Sequence, residues 1–210
     1  MAKLFIFGTS GFAREIRDVA YELGWESVFI AESRDARDAA SFDEQIILES
    51  DIGTYADAAF AIGIGDGKVR QKIVSRFGGA LNFINLIHPT ATFGKDQKAH
   101  VESRRGIIIC AGVRFMSGIK LGDYAVFSLN ATIGHDTVIQ DYVSIMPGAN
   151  VAGYVEIEQY CWIGANAAIN QGNATARLKI GAGTTVGAGA VVTKACAPES
   201  IYVGVPARKL

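Results

Sequence analysis

From Leu121 onward a large apolar residue returns at every sixth position: Phe127, Ile133, Ile139, Ile145, Val151, Ile157, Ile163 and Ile169. Six is neither the 3.6-residue period of a helix nor the two-residue period of a strand. With half the residues apolar, nine such positions in one register would arise by chance about once in five hundred, so the stretch is a repeat. Four residues after each of the first eight stands a small or β-branched residue: Ala125, Ala131, Thr137, Val143, Ala149, Val155, Cys161 and Ala167. The two positions between are mostly polar or Gly, as in His135-Asp136, Asp141-Tyr142 and Gly153-Tyr154. Large inside, small inside, then a two-residue corner describes one side of a triangular coil. Three sides make a turn of about 18 residues, and turns stack at about 4.8 Å. The pattern predicts a left-handed parallel β-helix over residues 85–197.

The register breaks between Ile169 and Ile180, which are eleven apart, so residues 170–179 are expected to extrude a loop of about five extra residues before Ile180, Val186 and Val192 resume the repeat. Residues 198–210 are expected to leave the coil as a tail. Upstream, "IHPTATFG" and "GIIICAGVRFMSGIKLG" look like less regular early turns. Flat, uncovered coil faces favour packing of several copies, and a homotrimer is expected.

Residues 1–84 follow a different pattern. "KLFIF", "SVFIA" and "DAAFAIGIG" read as short buried strands, and "LNFINLI" as a closing one. "FAREIRDVAYEL" has helical spacing, with Ile16, Val19, Ala20 and Leu23 on one face, and "KVRQKIVSRF" reads as a second helix. Alternation of strand and helix predicts a parallel α/β sheet with right-handed crossovers, a Rossmann-like domain.

Charge narrows the function classes. Twenty basic and 21 acidic residues nearly balance, so there is no electrostatic case for nucleic acid or an anionic membrane. No apolar run approaches the roughly 18 residues of a spanning helix, and the start of the chain is too short in apolar residues for a signal peptide. A cytoplasmic protein is expected. Cys110, Cys161 and Cys196 are odd in number and lack a CxxC, which suits buried free thiols in a reducing compartment.

Two stretches carry candidate chemistry. His135 stands at a coil corner beside Asp136, which could hold the imidazole tautomer. Gly153 lies 18 residues on, and its missing side chain leaves room beside the ring. A solvated corner residue is the plain alternative. The second stretch, "GTSGFA", follows a strand and opens a helix, where Gly8, Thr9, Ser10 and Gly11 could let a phosphate approach backbone N–H groups. The dinucleotide pattern GxGxxG is broken, with Ser10 and Ala13 at its second and third glycines, and a simple tight turn remains open. Glu32 past the second strand suits a ribose or base edge, and Arg34 a phosphate or solvent. Gly63, Gly65 and Lys68 fall at the same carboxyl edge of the sheet. No set of residues has metal-ligand spacing.

Taken together, "FIFGTSGFARE", "AIGIGDGKVRQKI", "LIHPTATF", the hexapeptide coils containing "IGHD" and the terminal "VGVPARKL" resemble the bacterial nucleotide-sugar acetyltransferases over essentially the whole chain. That family includes N-acetyltransferases of 4-amino-4,6-dideoxy sugars and sialic-acid O-acetyltransferases. The resemblance implies a homotrimer with acetyl-CoA between neighbouring coils and a UDP- or dTDP-linked sugar held by the N-terminal domain. It also implies that His135 is the general base and that the Gly153 N–H of a neighbouring subunit stabilises the oxyanion. Gly153, Ala165 and Ala188 read as small corner residues on one edge region against which pantetheine could lie. Pro206, Ala207 and Arg208 could meet the adenine and 3′-phosphate end. Some relatives carry a second histidine about nine residues after the first, where this chain has Ser144. O-acetylation of a sialic acid or another hydroxyl is the runner-up, and a non-catalytic nucleotide-sugar-binding module the alternative from another class. A zinc-dependent carbonic anhydrase on the same coil needs three histidines where the regular repeat has only His135, and the broken fingerprint disfavours a nicotinamide-dependent oxidoreductase.

Overall fold

The computed structural model describes residues 2–40, 42, 44–55 and 57–210. Its N-terminal part is a five-stranded parallel sheet built from β1 (Lys3–Phe7), β2 (Glu26–Ala31), β3 (Ile46–Leu48), β4 (Ala59–Ile62) and β5 (Asn82–Phe83). The strands lie side by side in the order β3-β2-β1-β4-β5, so the winding direction reverses between β1 and β4. Helix α1 (Gly11–Glu22) buries Ala13, Ile16, Val19 and Ala20, while Leu23, expected on that face, falls at the helix end and is exposed. After β2 come the short α2 (Arg34–Asp38), β3 and a 3₁₀ turn over Glu49–Tyr55, all three absent from the expected pattern. Helix α3 (Gly67–Phe77) starts at Asp66, whose carboxylate accepts the N–H groups of Lys68 and Val69 at 2.8 and 3.1 Å.

The expected closing strand is two strands. Asn82–Phe83 ends the first sheet, and Leu86–Ile87 begins the coil by pairing with Ile108–Ile109. Asn85 fixes the junction by donating to the Arg104 carbonyl and accepting from the Ile107 N–H at 2.7 and 2.8 Å.

Beyond it the chain winds into a three-sided parallel β-helix whose sheets have eight, six and four strands. Partners are 18 residues apart, as in Leu121↔Ile139 and Phe127↔Ile145. None of the nine large apolar positions is more than 5% exposed, and the eight small ones are buried as deeply. Each large one contributes roughly 1.5–3 kcal/mol by leaving water. From residue 124 to the loop each corner is made by a residue with positive φ, namely Tyr124, Asn130, Asp136, Tyr142, Gly148, Tyr154, Tyr160 and Asn166, and past the loop Gly183 and Gly189 do the same. The first regular turn is lengthened by α4 (Gln97–Glu102), which was not expected and sets Thr92 against Arg114. The loop after Ile169 shifts the pairing from 18 to 23 residues, Ile157↔Ile180, which is the five-residue insertion expected.

Two expectations fail here. The segment after residue 197 does not leave the coil: Ile201–Val203 pairs with Thr185–Val186 as one more strand of the stack, and Arg208–Lys209 folds back antiparallel to close it. Nor are all three faces bare. Outward residues along the eight-stranded sheet, Ile108, Cys110 and Val126, share one buried cluster with Leu4 and Ile6 of β1 and Ala13 of α1. The joint is pinned by Arg70, which is 1% exposed and donates to the carbonyls of Ile64, Gly65, Tyr124, Tyr142 and Val143 and to Ser144 Oγ. Burial pulls its guanidinium down to about 10, so it remains a cation at neutral pH.

Candidate active site

His135 and Asp136 form the corner between Thr132–Ile133 of the six-stranded sheet and Val138–Ile139 of the four-stranded one. The corner projects both side chains, which are 55% and 43% exposed. Asp136 Oδ2 lies 2.9 Å from His135 Nδ1, which assigns the proton to Nδ1 and leaves the Nε2 lone pair free. The carboxyl of Asp136 is held below the ordinary carboxylate range, chiefly by this bond against the opposing effect of desolvation, and further by Tyr154 and Arg177. Tyr154, one turn along the same edge, stands edge-on to the imidazole at 5.1 Å and 90°. The inserted loop returns Arg177 to the corner, where it donates to the Asp136 carbonyl and lies over the Tyr154 ring at 5.8 Å.

Gly153 is where the sequence placed it. A Cβ there would fall 2.6 Å from His135 Nε2 and 2.7 Å from Cε1, so the ring occupies the space a side chain would fill. Gly153 of the same chain thus lies directly against the imidazole. Ala165 and Ala188 are on a different edge, between the eight- and six-stranded sheets, with Asn166 and Gly189. The expected single strip of small residues is therefore two strips. Pro206, Ala207 and Arg208 belong to the closing hairpin, where the Ala207 N–H donates to the Val191 carbonyl at 2.8 Å and the basic end is exposed.

A second concavity of about 470 Å³ opens at the carboxyl edge of the N-terminal sheet, lined by Gly8, Thr9, Ser10, Glu32, Lys72 and Arg76 among others. It lies where β1 and β4 diverge, the place where α/β sheets hold ligands. Gly8 has φ +110° and sits 3.0 Å from the Gly63 carbonyl, measured from a notional Cβ, so a side chain is excluded twice. Ser10, in the lining, caps α1 without a side-chain bond, and no acidic residue stands in the first turn of that helix. Glu49, 12% exposed, pairs with Arg76 at 2.8 Å.

The other expected contacts are elsewhere. Gly11 and Arg34 are not in the lining. Gly63 packs against α1, where a Cβ would be 2.7 Å from Ala13 Cα, and Gly65 meets the Trp162 ring at the domain joint. Lys68 pairs with Glu199 at 3.0 Å. Ser144 is buried, donating to the Gly65 carbonyl at 2.6 Å, and belongs to that joint rather than to the His135 corner. Lys72 and Arg76 were missed. The signal was α3 itself: 69, 72, 73 and 76 share one helical face, and that face borders the carboxyl edge of the sheet. Among the described residues no three His, Cys, Asp or Glu side chains gather as a metal site, and no helix is long and apolar enough to cross a membrane.

Residues 3–77 match the PglD N-terminal domain family. A GDP-perosamine N-acetyltransferase of Escherichia coli O157:H7 is 32% identical over 130 residues, 61% of this chain; the match spans 57% of that relative's length. WeeI from Acinetobacter baumannii AYE superimposes with a TM-score of 0.84 at 27% identity, over 100% of both chains. The acetyltransferase domain of PglB from Neisseria gonorrhoeae FA1090, in complex with acetyl coenzyme A, does so with 0.85 at 25% identity, over 99% of this chain and 98% of that one. Residues 3–77 are thus similar to the PglD N-terminal domain, and the fold of the whole chain is shared with WeeI and with the acetyltransferase domain of PglB.

Proposed function

We propose that the protein transfers the acetyl group of acetyl-CoA to the 4-amino group of a nucleotide-linked 4-amino-4,6-dideoxy sugar. The observation that carries this is the exposed His135 with Nδ1 bonded to Asp136 and Nε2 left as an acceptor at an edge bare of side-chain bulk at Gly153. The neutral amine attacks the thioester carbonyl, and the carbonyl π pair moves onto oxygen. His135 Nε2 takes the proton from nitrogen as the tetrahedral centre forms. The oxyanion collapses, the C–S bond breaks and CoA leaves as the thiolate. The Gly153 N–H, which has no acceptor among the described residues, is the donor for the oxyanion. No acyl-enzyme is needed, because the two substrates meet directly and the three cysteines are buried.

The nucleotide lies in the concavity at Gly8–Ser10 and Glu32, its diphosphate toward the α1 N-terminus, Lys72 and Arg76. The His135 edge is opposite the coil face that the N-terminal domain covers, so one chain does not bring the two together. The reading calls for a homotrimer that sets the concavity of one chain against the coil edge of the next, with CoA in the groove between coils and Ala165, Ala188, Pro206, Ala207 and Arg208 as its contacts. UDP and dTDP were the carriers expected, and the GDP-sugar relative adds a third.

The test is thiol release from acetyl-CoA with UDP-, dTDP- and GDP-linked 4-amino sugars and with free and CMP-linked sialic acid. Turnover on one amino sugar, lost by at least about a hundredfold in His135→Ala, supports the reading and names the carrier. Turnover confined to a sialic acid assigns O-acetylation instead. Nucleotide-sugar binding without any thiol release leaves a binding module.

A further inference from the structure

Of the eleven small buried positions of the coil repeat nine carry no oxygen; the exceptions are Thr184, whose hydroxyl donates to the Ala197 carbonyl at 2.7 Å, and Thr137, two residues after His135 and the one beside the candidate site. Its Oγ1 donates to the carbonyl of Ala152 at 3.1 Å, across to the next turn. At the edge between the eight- and six-stranded sheets the equivalent carbonyls do something else. Those of Ser128, Met146 and Gly164 accept from the N–H groups of Ala131, Ala149 and Ala167, at 3.2, 3.1 and 3.1 Å, and so close their own corners. Among the described residues the Ala152 carbonyl takes no such bond from Val155. Thr137 replaces it.

The peptide that joins Ala152 to Gly153 is planar and trans, so its C=O and N–H point in opposite directions. Thr137 is fully buried, and its hydroxyl draws the Ala152 oxygen toward the coil interior. The N–H of Gly153 must then point outward, on the edge where the His135 ring lies. From the other side, the inserted loop ties down the residues that follow, with Gly172 N–H donating to the Gly153 carbonyl and Leu178 N–H to that of Tyr154, both at 3.1 Å.

We propose that Thr137 is a positioning residue: its hydroxyl fixes the Ala152–Gly153 peptide so that the Gly153 N–H is aimed at the oxyanion. This rests on the acetyl-transfer reading above and deepens it. An oxyanion donor is useful only if its direction is set before charge develops, since reorienting a peptide during the reaction would consume the stabilisation. Thr137 does not touch substrate in this scheme, so its effect falls on the transition state.

The experiment compares Thr137→Val, an isosteric change, and Thr137→Ser with the wild type, measuring kcat, both KM values and the melting temperature. Val stands at the same register position in Val143 and Val155, and Ala in Ala125 and Ala131, so Thr137→Ala serves as a second variant if the first does not fold. Thr137→Val should lose about tenfold or more in kcat, with both KM values unchanged within about twofold, and Thr137→Ser should recover most of the rate. Wild-type kcat in Thr137→Val and Thr137→Ala overturns the inference, as does a Thr137→Ser variant as slow as Thr137→Val. Turnover by the wild type that survives in Thr137→Val sinks the inference alone. No turnover by the wild type on any amino sugar sinks the acetyl-transfer reading and the inference together.

Discussion

Gly153→Ala replaces a hydrogen with a methyl group at the most constrained point of the corner. No left-handed φ is recorded for Gly153, so alanine suits the backbone and the cost falls on the neighbour. The new Cβ would lie 2.6, 2.7 and 3.0 Å from Nε2, Cε1 and Cδ2 of His135. Comfortable separation of heavy atoms is about 3.5 Å or more, so the ring must retreat by about 1 Å. The retreat pulls Nδ1 from Asp136 Oδ2, now at 2.9 Å, and moves Nε2 from the line of proton transfer. A misplacement of this size costs about a hundredfold in rate. Stability should change little, because the displaced imidazole is exposed and Gly→Ala by itself is worth about 1 kcal/mol or less. Initial rates of thiol release and a thermal melt on the same preparation separate the two effects. Gly53→Ala, with nothing within 4 Å of its Cβ, is the control. A Gly153→Ala enzyme with wild-type kcat would refute the close-packed corner, and a rate loss matched by loss of folded protein would refute its catalytic interpretation.

Lys72→Ala should raise KM for the nucleotide sugar by about tenfold and leave KM for acetyl-CoA alone, read from initial rates in each substrate. Arg70→Met strips the joint of its donor and leaves carbonyls of both domains unpaired; at about 3 kcal/mol it should lower the melting temperature by roughly 6–12 °C by calorimetry. Asp136 has a depressed folded pKa, so its stabilising bond to His135 is fully present above the unfolded value and lost as pH falls through the folded one. The melting-temperature gap between wild type and Asp136→Asn, open at pH 7, should therefore close on acidification below about pH 4. Burial pushes the thiols of Cys110 and Cys161 up to about 12 and that of Cys196 to about 11, so Ellman's reagent at pH 8 should find no reactive thiol in the native protein and three in guanidinium.

The coil was legible because each turn repeats the same steric demand. Leu121 to Ile169 sit inside as counted, and the eleven-residue gap translated directly into a five-residue loop. Where one residue's role depends on contacts across the fold, the sequence was silent or misleading. Arg70 reads as a solvated helix residue until Tyr124, Tyr142 and Val143 are brought over it. Lys68 reads as a ligand contact until Glu199, 131 positions away, arrives beside it. The strand at Ile201–Val203 was invisible because it has no successor in the repeat to keep register with. Ala165 was misplaced by simple counting: twelve residues after Gly153 is two corners on, a different edge of the triangle.

Arg70 has a consequence for how the molecule comes apart. One cation serves six acceptors distributed over a helix-start loop and two successive coil turns, and among the described residues no carboxylate pairs with it directly, Asp66 attracting it only through space. Separating the domains would strand that charge in whichever half kept it, so partial opening is penalised as heavily as complete unfolding. A chain of two unlike architectures is thereby expected to melt as one cooperative unit, without a state in which the coil persists and the sheet is lost.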